Sequence, residues 1–141
     1  MNHLNSVLLE GYLVNDPKVI TTSDPNQTFQ LVKFDVANHR VYRNGKGEMK
    51  EETLFIPIQV WGSISAMCLE KMKKGMVCRV VGRLRQCRWE TKDGAKRSSI
   101  EIYSHHLEYR NPAKKNQQEP EILENDEDEE ELAETVVLYQ V

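Results

Sequence analysis

The sequence has few of the features that mark exported or membrane proteins. Its three cysteines, Cys68, Cys78 and Cys87, are odd in number and lack CxxC spacing, so no disulfide framework is expected. The N-terminus has no cationic segment followed by a long apolar run. The apolar residues 7–9 are followed at once by Glu10. We therefore expect neither a signal peptide nor a membrane span, but reduced thiols and a cytoplasmic location.

Signatures of catalysis and of metal binding are also missing. The sequence contains no GxSxG, HExxH or Walker-type loop. His105 and His106 are adjacent and would point to opposite faces of a strand, whereas His3 and His39 have no partner at a ligand spacing. We expect a protein that is not an enzyme and that needs no cofactor or metal.

Charge is distributed unevenly along the chain. Residues 1–110 hold 17 Lys or Arg against 12 Asp or Glu, whereas residues 111–141 hold 2 against 10, which together give the net charge of -3. A basic body of this kind favours a polyanionic ligand. The acidic tail would then compete for the same body or bind another partner.

The periodicity of apolar residues predicts an all-β domain over residues 1–110. One short helix begins near Ser63 or Ser65 and ends before Gly75, between the third and fourth strands. The predicted strands are residues 5–14, 30–42, 53–61, 76–89 and 98–109. A five-stranded barrel with its helix in this place is the OB-fold, which commonly binds oligonucleotides. Residues 111–141 are too polar to form a core, so we predict a disordered acidic tail.

Two predicted strands place aromatic and basic side chains on their outer faces. If the aliphatic residues of the third strand fill the barrel, Phe55 and Trp61 remain outside. In the fourth strand, Arg83, Arg85 and Trp89 share the face opposite the apolar one. Interleaved rings and cations suit single-stranded nucleic acid, whose bases stack on aromatic faces while cations hold its phosphates.

The pattern leaves other interpretations open. Exposed aromatic residues also form subunit interfaces, so the chain could be an OB-fold interaction module whose tail contacts the partner. RNA is a further candidate ligand, because base stacking tolerates any sequence. The residues favour single-stranded nucleic acid and do not distinguish DNA from RNA.

Several separated segments resemble the bacterial single-stranded DNA-binding protein family over residues 4–109. They are, in order, residues 5–13, Asp16-Pro17, residues 47–51, Lys74-Gly75, residues 81–85 and Arg88-Trp89. The resemblance implies an OB-fold homotetramer that binds single-stranded DNA in replication, recombination and repair. The stacking and phosphate-binding residues that it implies are Tyr42, Phe55, Trp61, Trp89, Arg43, Lys74, Arg85 and Arg88.

The C-terminal segment departs from that family. Its members end in an acidic tip with a short Pro-Phe unit that docks into replication and repair proteins. Here the acidic run, residues 126–131, is internal and an apolar segment follows it. The candidate partner-binding residues in that segment are Val136, Val137, Leu138 and Tyr139.

Overall fold

The computed structural model describes residues 1–20, 30–112 and 121–124. Within these ranges the chain forms seven strands and one helix. In chain order they are β1 (Val7–Leu13), β2 (Lys18–Ile20), β3 (Leu31–Arg43), β4 (Met49–Val60), α1 (Ser63–Lys71), β5 (Val77–Glu90), β6 (Lys96–Arg110) and β7 (Glu121–Glu124). All five predicted barrel strands and the helix are present. Strands β4 and β6 begin earlier than the pattern predicted.

Five of these strands close into a barrel. The hydrogen-bonded order is β1-β5-β6-β4-β3, and β3 pairs back to β1 through Tyr12 opposite Ala37. Strands β4 and β6 run parallel, whereas the other pairings in the barrel are antiparallel. This order, with α1 between β4 and β5, confirms the predicted OB-fold.

The barrel interior contains the aliphatic faces that the alternation predicted. Phe34 and Val36 of β3 pack against Ile58 of β4, Val80 of β5 and Ile102 of β6, all of them buried. Cys68 and Cys78 belong to the same core, and burial raises the pKa of both thiols to about 12. These thiols are therefore held in the protonated form.

Tight turns set the register of the two long hairpins. In the β3–β4 turn the Oδ1 of Asn44 accepts hydrogen bonds from the backbone N–H groups of Lys46 and Glu48, both at 2.9 Å. Gly47 in this turn and Gly94 in the β5–β6 turn have positive φ angles of 78° and 82°, a conformation that disfavours other residues. Both hairpins were predicted from their Asn-Gly and Asp-Gly signals.

Strands β5 and β6 approach each other closely beside Gly82. Their register shifts between Val81 and Gly82, so that β6 bulges around His105. A Cβ atom on Gly82 would collide with the backbone carbonyl of Tyr103. Glycine at this position therefore allows the two strands to cross the bulge and continue outward as a long hairpin.

The boundaries of the helix differ slightly from the prediction. Gly62, rather than a serine, occupies the N-cap position of α1, and no side chain caps the helix there. The Oγ of Ser65 instead donates to the carbonyl of Gly62 at 2.7 Å. No helix within the described residues is long and apolar enough to span a membrane.

The prediction that residues 111–141 are wholly disordered is wrong for four of them. Strand β7 pairs antiparallel with β6, with Glu121 opposite Tyr109 and Glu124 opposite His106. The edge of β6 is available there because β4 pairs with β6 only around Ile102 and Tyr103. The predicted partner-binding residues 136–139 lie outside the described residues.

Candidate nucleic-acid interface

The outer face of β5 and β6 brings cations and aromatic rings together. Cross-strand pairing places Arg83 opposite Tyr103, and Trp89 opposite Arg97. Tyr103 is buried, with the guanidinium carbon of Arg83 at 4.9 Å and that of Arg85 at 5.6 Å from its ring centroid. We call Arg83, Arg85, Trp89, Arg97 and Tyr103 the cationic lane.

The lane continues into a groove at the tip of the β5–β6 hairpin. This groove has a volume of about 470 Å³ and is lined by residues 88–90 and 96–98, with Trp89 38% exposed. Residues 83–97 include six Lys or Arg against two Asp or Glu. Arg88 points to the opposite side of the strand from Trp89 but lines the same groove. An exposed ring in a segment with more cations than carboxylates suits a nucleotide whose base stacks on the ring and whose phosphates contact the cations.

Phe55 is a second exposed ring on the barrel. It is 63% exposed and lies on the outer face of β4, opposite Ala37 of β3. Tyr12 of β1 is paired with the same Ala37 and is 45% exposed. Phe55 is therefore placed outside the barrel, as the alternation predicted, where it is accessible to a ligand.

Trp61 is not exposed, so the prediction that its ring lies accessible outside the barrel is wrong. It directly follows β4 and continues the face of Phe55 and Gln59, but its exposed fraction is 0%. Leu31 and Tyr103 pack around it, and Ile20 covers this cluster. A side chain enclosed in this way cannot stack on a base without rearrangement of its neighbours.

The β3–β4 hairpin is less basic than its arginines and lysines suggested. Residues 40–53 hold four Lys or Arg against three Asp or Glu. Arg40 forms an ion pair with Glu52 at 2.9 Å and also lies 4.8 Å above the half-buried ring of Tyr42. Arg43 is exposed near the turn. The charge on this hairpin is largely balanced, so the excess of positive charge is concentrated on the β5–β6 hairpin.

Lys74 lies apart from the other candidates. It is exposed in the connection between α1 and β5, where its backbone N–H donates to the Oδ1 of Asp16 at 2.8 Å. Trp89 lies near the other end of β5. A ligand that contacts both residues would have to extend along the barrel.

Comparison with known proteins assigns the chain to a family. The single-strand binding protein family matches residues 4–110, which include the whole barrel. The chain belongs to this family.

Individual relatives agree with that assignment. A single-stranded DNA-binding protein of Aquifex aeolicus is 35% identical over 104 residues, covering 74% of this chain and 68% of the relative. Single-stranded DNA-binding protein 2 of Chlorobaculum tepidum is 27% identical over 128 residues, covering 89% of this chain and 85% of the relative. The crystal structure of a deletion mutant of the Thermus aquaticus single-stranded DNA-binding protein is similar, with a TM-score of 0.66 at 25% identity. That alignment covers 77% of this chain and 51% of the other.

The barrel of this chain also contains a buried polar network that the sequence pattern did not predict. Glu101 is 3% exposed and accepts from Lys33 Nζ at 2.7 Å, Ser99 Oγ at 2.7 Å and Gln59 Nε2 at 3.1 Å. Gln59 also donates to the Sγ of Cys87 at 2.9 Å. A lysine and a glutamate 68 positions apart give no local signal, since their contact depends on the β3-β4-β6 strand order.

The network predicts acid sensitivity. Burial alone would raise the pKa of Glu101, but hydrogen bonds from Lys33, Ser99 and Gln59 outweigh it and lower the pKa below the ordinary value of 4.5. The native carboxyl thus binds fewer protons than the unfolded one, so its stabilisation is present above pH 4.5 and is lost as the pH falls through the lowered pKa. We expect the urea midpoint to fall in that range, and to fall less for Glu101→Gln. Equal pH dependence in both proteins would contradict this role.

Proposed function

We propose that this chain binds single-stranded DNA without sequence preference, and protects and organises it during replication, recombination and repair. The observation that carries the proposal is the cationic lane, where exposed Trp89 lies among arginines that outnumber the nearby carboxylates. A single strand supplies unpaired base faces and backbone phosphates, both of which suit this surface, whereas the bases of a duplex are paired and stacked on one another. The protein acts by binding and not by catalysis.

The proposed contacts with DNA are of two kinds, namely stacking of bases on aromatic rings and neutralisation of phosphates by cations. Phe55 and Trp89 would each stack on a base, a contact worth ~1–3 kcal/mol. Arg43, Lys74, Arg85 and Arg88 would neutralise phosphates along the path, and Tyr42 would contribute a third, half-buried ring. The structure supports the lane and the hairpin groove most strongly, so we place the main contact on the β5–β6 hairpin.

Membership of the family supports a proposal for assembly and cellular context. We propose a homotetramer in the cytoplasm, associated with the nucleoid, that recruits replication and repair proteins through its C-terminal tail. The edge of β1 that faces β3 supports self-association, because it is only partly paired. In the part of the chain that the structure describes, β3 pairs with β1 only at Tyr12 and Leu13, and Leu8 on β1 is 77% exposed.

The ligand class can be tested by fluorescence anisotropy with three labelled probes of equal length. The probes are oligo-dT, oligo-U and duplex DNA. We expect oligo-dT to bind tightly and duplex DNA to bind weakly. The affinity for oligo-dT should fall with salt concentration, with a log–log slope near -0.7 per phosphate neutralised. Tighter binding of oligo-U than of oligo-dT would instead favour an RNA-binding paralogue. Equal affinity for duplex and oligo-dT would contradict single-strand binding.

Removal of the acidic tail is expected to strengthen binding at low salt. The six consecutive carboxylates at residues 126–131 would compete with DNA phosphates for the basic surface. Two truncations separate this effect from the loss of β7: a chain ending at Glu124 keeps the strand, whereas one ending at Arg110 removes it. Both should bind oligo-dT more tightly than the full chain at low salt and equally at high salt. If the chain ending at Glu124 binds like the full chain, the acidic run does not compete.

A further inference from the structure

The strand register places opposite charges face to face without pairing them. Arg85 of β5 is directly opposite Glu101 of β6, a position at which oppositely charged side chains usually pair. Glu101 instead contacts Lys33, which comes from β3 and reaches across β4. Strand β4 lies between β3 and β6, and its Gln59 is opposite Lys33 of β3 on one side and Tyr103 of β6 on the other.

Arg85 is consequently a cation without a carboxylate in the described part of the chain. Its Nη1 is buried and has no hydrogen-bond partner there, while its guanidinium lies over the Tyr103 ring beside Arg83. Burial, and then the charge of Arg83, lower the pKa of Arg85. The fold therefore places Arg85 on this ring beside a like charge, and an anion bound at Arg85 would stabilise it there.

We propose that Lys33 is a positioning residue for single-strand binding. By holding Glu101 it keeps that carboxylate from pairing with Arg85, which is then available to a phosphate. This inference rests on the proposed function and adds a residue that does not itself need to contact DNA. The side chain of Lys33 is 26% exposed and that of Glu101 is 4% exposed, so their ion pair is mostly covered by protein.

The consequence of losing Lys33 follows from the position of Glu101. A buried carboxylate that loses its cation is costly, and it takes another cation if one is within reach. Arg85, on the neighbouring strand directly opposite, is such a cation. In Lys33→Met the two would pair, and a phosphate would have to displace Glu101 before it could bind Arg85.

A double-mutant comparison tests this inference. We would measure the salt dependence of oligo-dT affinity for the wild type, Lys33→Met and the double variant Lys33→Met with Glu101→Gln. Lys33→Met is expected to bind more weakly, with a slope smaller by about 0.7, the value for one phosphate. The double variant is expected to recover the wild-type slope, because no carboxylate remains to occupy Arg85.

The outcomes separate three explanations. If the double variant keeps the reduced slope, Lys33 contacts the phosphates itself and the inference is wrong. If Lys33→Met binds like the wild type, Glu101 does not compete for Arg85 and the inference is again wrong. If Lys33→Met does not fold, Lys33→Gln, which also removes the cation but keeps a hydrogen-bond donor for Glu101, takes its place with the same expected slopes and the same contradicting results. A wild type that fails to bind oligo-dT would overturn the proposed function as well.

Discussion

Trp89→Ala is expected to weaken oligo-dT binding roughly 5- to 150-fold, which corresponds to the loss of one stacked base worth ~1–3 kcal/mol. Trp89 is the exposed ring of the hairpin groove, which Arg88, Lys96 and Arg97 also line. Because the side chain is 38% exposed and belongs to a hairpin beyond the barrel core, the thermal midpoint should change little. Anisotropy titrations and thermal melts measure the two effects separately.

Two matched variants control for the loss of apolar surface. Trp89→Phe keeps an aromatic face and should retain most of the affinity. Ile100→Ala removes an exposed apolar side chain, 58% exposed, from the same hairpin and should leave binding unchanged. If Trp89→Ala instead altered the oligomeric mass and left oligo-dT affinity intact, Trp89 would be an interface residue and the interaction-module interpretation would be favoured.

Trp61→Ala is expected to lower the free energy of unfolding by about 3–5 kcal/mol, the usual cost of deleting a buried tryptophan. Trp61 is fully buried against Leu31 and Tyr103. Its removal would leave a cavity beneath the ring that supports Arg83 and Arg85. Urea unfolding of the two proteins measures the difference directly.

Phe55→Ala is the matched comparison, because Phe55 lies on the face of β4 that Trp61 continues but is 63% exposed. It should cost little stability and should weaken oligo-dT binding by the loss of one stacked base. A Trp61→Ala protein with wild-type stability and impaired DNA binding would show that Trp61 is accessible in solution, against the packing described above.

Trp61 illustrates which part of the site a local pattern can predict. Alternation correctly places Phe55 and Gln59 on one face of β4, with Trp61 directly after the strand in line with them, because the period of a strand is fixed. It cannot predict exposure, since the residues that cover Trp61 come from distant segments around Leu31 and Tyr103. The barrel itself was predictable because its core faces alternate clearly and its turns carry Asn-Gly and Asp-Gly signals.

Long-range pairing explains the remaining differences. The charges of residues 40–53 could be counted from the sequence, but the ion pair of Arg40 with Glu52 depends on the β3–β4 register. Strand β7 lies in a polar segment and forms where β4 leaves the edge of β6 uncovered. Likewise, only the strand order brings Lys33 to Glu101. Such features depend on strand order and register more than on local composition.

The central claim is that bases stack on Trp89 of the β5–β6 hairpin while Trp61 supports the fold. Tryptophan fluorescence tests it directly, because the chain contains only these two tryptophans. Oligo-dT should quench the emission of Trp61→Phe, in which Trp89 is the remaining fluorophore, and should leave that of Trp89→Phe nearly unchanged. Strong quenching in Trp89→Phe with none in Trp61→Phe would contradict the claim.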